Sequence, residues 1–275
     1  MKALKSHRSF DGTLTFWAHD SKSTGTEMNF STFEPHGEVR GCLFWLSGLT
    51  CTDENFQAKA GAHRALAAAG MMVVCPDTSP RGLDLPHERD SYDFGAGAGF
   101  YVDATTSGYD RHYRMRTYVA DELYELVLSK WPSNRGRVAI TGHSMGGHGA
   151  LTLGLREPEK FVSISAFSPI AHPSAVPWGQ KAFTGYLGDD REKWKQYDAT
   201  ELVLAGARHP REILIEQGGA DAYLTEQLRA PDLEAACRKV GQPLLMRLRE
   251  GYDHSYWFIS TFIESHVEFH AAGLG

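Results

Sequence analysis

Gly142-His143-Ser144-Met145-Gly146 sets one serine between two glycines, each separated from it by a single residue. A serine hydroxyl is a weak nucleophile at neutral pH and becomes an effective one when a neighbouring base takes its proton. The usual base is a histidine, held in turn by a carboxylate that fixes its tautomer and stabilises the imidazolium. Such a set performs acyl transfer through a covalent serine ester. The chain has 13 histidines and 34 acidic residues, so residue type alone selects nothing. Position along strands and helices must do so.

The residues around Ser144 supply that context. The run 137–141 reads as a strand and 147–156 as a helix. A serine at a glycine-flanked strand–turn–helix junction is the nucleophile elbow of α/β-hydrolases. The turn is so sharp that its flanking residues must be small, which Gly142 and Gly146 satisfy. The helix that follows points its positive end at the serine oxygen.

Elsewhere, 12–17 and 27–33 alternate like antiparallel strands, with a turn at 23–25. The continuous apolar runs 41–46 and 71–75 read as strands buried on both faces. Further strands are expected at 161–167, 212–216 and 244–248. Helices are expected at 54–69, 116–130 and 256–270, with Gly70 closing the first. Strands alternating with helices predict an α/β-hydrolase fold: a mainly parallel central sheet with an N-terminal antiparallel meander and flanking helices. With no repeat or linker in view, residues 1–275 read as a single domain. Segment 78–110 lacks periodicity, and its tyrosines and phenylalanines argue that it is ordered.

In this fold the chain order is serine, acid, histidine, with the last two beyond the carboxyl ends of later strands. His254 fits, following strand 244–248 and the short loop Gly251-Tyr252-Asp253. His148 sits on the elbow helix, which directs it away from Ser144. His172 lies in a proline-rich segment and His209 precedes a strand. His266 and His270 are expected to face solvent or to pack within the last helix. For the acid, Asp221 follows strand 212–216 through Gln217-Gly218-Gly219-Ala220. Asp189, Asp190 and Asp198 read as surface charges, and Asp253 as a turn former. The tetrahedral intermediate needs amide donors, assigned to the backbone N–H groups of Met145 and Leu49. Cys51, two residues past Leu49, is a candidate site-lining thiol.

The net charge of −6 argues against a general nucleic-acid binder, which needs a basic face. The four cysteines form no CxxC pair. The N-terminal ten residues lack the apolar core of a secretory leader. The longest nearly apolar run, 65–75, is too short to cross a bilayer. A cytoplasmic protein without metal or cofactor is expected.

Several dispersed segments resemble the S-formylglutathione hydrolases, the esterase D family. They are Leu46 to Phe56, Pro76 to Gly82, Phe94 to Ala104, Gly142 to Leu151, Trp178 to Phe183 and Gly251 to Tyr256, in the family's order and over nearly the whole chain. Three places depart from the family pattern: Tyr92 stands where tryptophan is common, Tyr223 where phenylalanine is, and Leu83 to His87 is atypical of the loop. The resemblance implies a cytosolic, often dimeric thioesterase with the triad Ser144, Asp221 and His254. It would release glutathione and formate after glutathione-dependent formaldehyde oxidation. Arg81 and Lys181 are weighed as partners for glutathione carboxylates, against the plainer reading of solvated surface charges. The rival activities are a general short-chain carboxylesterase and an acyltransferase on the same scaffold.

Overall fold

A computed structural model describes residues 1–274. Nine strands carry the architecture: β1 (Lys2–Ser9), β2 (Gly12–Asp20), β3 (Glu27–Pro35), β4 (Gly41–Leu46), β5 (Met71–Pro76), β6 (Val138–Gly142), β7 (Ser165–Phe167), β8 (Ile213–Gly218) and β9 (Leu244–Arg249). Six of them pair in the order β1-β2-β3-β5-β4-β6, and β7-β8-β9 form a second group. Parallel bridges Ile140–Ile164 and His143–Phe167 join the two groups across β6 and β7. Strands β1 to β3 are antiparallel and β3 pairs antiparallel with β5, while all pairings from β5 to β9 are parallel. This is the α/β-hydrolase arrangement expected from the sequence.

The central strands are apolar because they are covered on both sides. Along β4, Cys42, Phe44 and Leu46 enter one core with the helices Met145–Arg156, Pro177–Leu187 and Ala230–Val240. Leu43 and Trp45 enter the other, beneath Phe56, Leu66, Phe258 and Ile263. The period of two thus divides one strand between two layers.

Several local expectations are corrected. The helix expected over 54–69 is two, Glu54–Lys59 and His63–Ala69, broken at Gly61, whose φ is +67°. The helix over 116–130 contains a wider π-type turn, Tyr118–Leu123. Strand 161–167 narrows to the three residues of β7. Strand β1, which the sequence reading did not assign, is exposed over nearly its whole length and is held by backbone pairing to β2. Segment 78–110 contains no regular helix or named strand among the described residues, yet its aromatic residues are seated. Phe100 and Tyr101 are fully buried, and the Tyr101 hydroxyl donates to the Ser47 carbonyl at 2.8 Å.

Candidate active site

The elbow forms where β6 ends and helix Met145–Arg156 begins. Ser144 has φ 58° and ψ −118°, a conformation that non-glycine residues adopt at a cost. Its N–H donates to the Phe167 carbonyl at 3.0 Å, and its own carbonyl accepts from His148 and Ile170. A Cβ on Gly146 would collide with the Leu46 carbonyl, and one on Gly142 with the Gly146 carbonyl. Both glycines are therefore required by backbone proximity.

The loop after β4 comes down beside the serine. A Cβ on Gly48 would sit 3.2 Å from Ser144 Cβ, so only glycine lets this loop approach without displacement. Neither the Leu49 nor the Met145 N–H has an acceptor among the described residues, since neither donates in any hydrogen bond made there. Leu49 lines the cleft with Ser144 and Met145 follows the serine directly, and amides free of internal acceptors are what stabilisation of a developing negative oxygen requires.

Asp221 sits in the turn after β8 with its carboxylate fully buried. Oδ1 accepts the Tyr223 N–H at 2.9 Å, and Oδ2 lies 2.6 Å from His254 Nδ1. Gln217 Nε2 approaches the same Oδ2 at 3.5 Å. With its proton on Nδ1, the neutral imidazole leaves Nε2 as a lone pair. His254 and Ser144 line one cleft of about 800 Å³, together with Leu49 and Cys51. Ser144 Oγ makes no hydrogen bond among the described residues. Serine–histidine contacts are often loose in empty sites and tighten on the substrate.

The His254 ring lies between two others: His143 at a centroid distance of 4.4 Å and Tyr223 at 5.1 Å. Burial, and then the nearness of His254, hold His143 well below the usual histidine range. His143 is thus a neutral ring packed beside His254. Burial raises the Cys51 thiol above its usual value, against smaller opposing effects of Lys59 and Tyr256. Half-buried in the cleft wall, it is mostly the neutral thiol.

The other candidates are placed elsewhere. His148 is buried and bonds the Phe100 carbonyl through Nε2 at 2.9 Å. His266 and His270 are buried rather than solvent-facing, and both bond Ser165 Oγ at 2.8 Å. Asp198 is not a surface charge: it is fully buried and accepts from the Ser174 and Glu201 N–H groups. Asp189 and Asp190 are exposed. Asp253 accepts from the Ser255 N–H and hydroxyl, as a turn former does. Arg81 is committed to Asp77 at 2.7 Å and to the Cys51 carbonyl at 3.0 Å. Lys181 is committed to Asp93 and Ser91.

Two groups of side chains line the cleft besides the residues around Ser144. Tyr92, Trp178 and Tyr223 form one, with Trp178 Nε1 donating to the Tyr92 hydroxyl at 3.1 Å and the Trp178 and Tyr223 rings 4.7 Å apart. Lys59, Tyr256 and Trp257 form the other. Lys59 and Trp257 escaped the sequence reading. For Trp257 the adjacency to His254 was a usable signal, whereas for Lys59 there was none.

The chain is similar to known proteins over nearly its whole length. The family model described as "Putative esterase" matches residues 21–269. The S-formylglutathione hydrolase of Bos taurus is 47% identical over 275 residues, covering 98% of each chain. That of Arabidopsis thaliana is 48% identical over 279 residues, covering 100% of this chain and 98% of its own. A solved S-formylglutathione hydrolase from Agrobacterium tumefaciens is 43% identical and superposes with a TM-score of 0.96 over 100% of both chains. With the elbow, the fold and this full-length identity together, the chain belongs to the S-formylglutathione hydrolase family of α/β-hydrolase esterases.

Proposed function

We propose that this chain hydrolyses S-formylglutathione to glutathione and formate, with Ser144, His254 and Asp221 as its catalytic triad. The observation that carries the mechanism is the 2.6 Å contact between Asp221 and His254 Nδ1 at the cleft that Ser144 also lines. Ser144 attacks the formyl carbonyl as His254 Nε2 takes the hydroxyl proton. The Leu49 and Met145 N–H groups hold the oxyanion. His254 then returns the proton to the departing sulfur, and glutathione leaves. Water, deprotonated by the same imidazole, attacks the formyl-serine ester, and His254 returns that proton to Ser144 Oγ as the ester C–O bond breaks and formate leaves. Asp221 keeps the Nδ1 proton in place throughout and stabilises the imidazolium.

The whole chain acts as one catalytic domain that needs neither metal nor cofactor. Its setting is the cytoplasm, in the clearance of formaldehyde captured by glutathione, and the working unit is a homodimer. Supporting the activity are the identities with curated S-formylglutathione hydrolases; the setting and the dimer rest on the family resemblance. Among the described residues no helix is long and apolar enough to cross a membrane.

Two measurements test the reading. A fluorophosphonate probe should label Ser144, and Ser144→Ala should lose both labelling and thioester hydrolysis. kcat/KM for S-formylglutathione should exceed that for an aryl acetate. A preference for the aryl ester would make the protein a general carboxylesterase instead.

A further inference from the structure

We propose that Lys59 binds a carboxylate of the glutathione leaving group, so that the Lys59–Tyr256–Trp257 wall takes the tripeptide and the Tyr92–Trp178–Tyr223 wall takes the acyl side. The inference rests on the thioesterase reading above and adds a specificity residue to it.

Charge is the first argument. Among the described residues that line the cleft, Lys59 is the one lysine or arginine, and none is aspartate or glutamate. A glutathione thioester carries two carboxylates and one ammonium group, so its net charge is negative. The protein as a whole is acidic, at −6, and an isolated positive group at the cleft is what offsets that field locally.

Availability is the second. Arg81 and Lys181, the cations the sequence brought forward, are each held by an aspartate. Lys59 has no carboxylate partner among the described residues. Its ammonium lies 5.7 Å from the Tyr256 ring centroid. Lys59 is exposed, so its charge meets solvent.

Direction is the third. The leaving sulfur must meet the proton on His254 Nε2, and Ser255, Tyr256 and Trp257, which follow His254 in the chain, line the same cleft. Trp257 is 81% exposed, an open indole that lines the same cleft as Lys59. The opposite wall is knit by the Trp178–Tyr92 hydrogen bond and offers aromatic faces without a charge. It suits an uncharged acyl group and offers a carboxylate phenol hydroxyls but no cation.

Position at a helix end is the competing account of Lys59. It occupies the last turn of helix Glu54–Lys59, where a lysine favours the exposed carbonyls. That role would move stability rather than substrate choice.

The test compares S-formylglutathione with S-formyl-N-acetylcysteamine, which carries the same acyl group and no carboxylate. For Lys59→Met, the ratio of the two kcat/KM values should fall about five- to tenfold, mainly through KM for the tripeptide. Lys59→Arg should restore most of the ratio, and added salt should lower the wild-type ratio while leaving that of Lys59→Met flat. A Lys59→Met ratio within about twofold of wild type, or an equal fall on both substrates, overturns the assignment. Wild-type protein that cannot cleave S-formylglutathione at all would instead bring down the thioesterase reading beneath it.

Discussion

His254 Nδ1 stands 2.6 Å from Asp221 Oδ2, while the other oxygen of that carboxylate is held by the Tyr223 N–H. The carboxylate is thus anchored from its own turn and aimed at the imidazole. On the proposed mechanism, Asp221→Asn keeps the shape and favours the wrong tautomer. Turnover should drop about ten-thousandfold with little loss of thermal stability. Steady-state kinetics beside a melting curve checks this, and near-normal turnover would exclude Asp221 as the acid.

Gly146→Ala should unfold the elbow. The added methyl would overlap the Leu46 carbonyl at the buried end of β4, where neither backbone can yield cheaply. A destabilisation of about 3 kcal/mol is expected, together with lost activity. Denaturant titration measures it, and an unchanged midpoint would contradict the packing described here.

Asp53 gives a stability effect that depends on pH. Burial first, then the charges of Asp77 and Glu54, push its carboxyl up to about 7 from an ordinary value of 3.8. A folded-state value above the unfolded one means that the native state binds the proton more tightly. The ionised group therefore destabilises the fold above about pH 7, and the penalty fades as pH falls toward 4. Asp53→Asn should stabilise by about 1–2 kcal/mol at pH 8 and by much less at pH 5. Unfolding midpoints at the two pH values decide it, and a gain that is equal at both, or larger at pH 5, contradicts the assignment.

Cys51 is the one cysteine of four that is not buried. Bulky maleimides should modify it selectively and block the cleft, slowly because burial keeps the thiol protonated. Cys51→Ser should remain active and escape inhibition. Equal inhibition of both proteins would take Cys51 out of the cleft wall.

The sequence revealed those features whose cause is local. The elbow glycines, the strand before Asp221 and the strand before His254 are each announced by neighbouring residues, and the structure brings Asp221 and His254 into contact. What stayed hidden depends on distant partners. Strand β1 has no buried face, so its pattern carries no periodic signal, and only pairing with β2 makes it a strand. Asp198 resembles a surface charge until the Ser174 N–H, 24 residues earlier, is seen to meet it. His266 and His270 can be buried because serines about a hundred positions earlier share hydrogen bonds with their ring nitrogens. Lys59 acquires its setting only when the helix after β4 meets the helix after His254.

Those two histidines tie helix Tyr256–Gly273 to β7, and the loop bearing the imidazole enters that helix. A nascent polypeptide therefore finishes its elbow while the general base is still untranslated. On the proposed mechanism the newborn enzyme stays silent on the ribosome, and esterase activity begins only when this late segment clears the exit tunnel and docks.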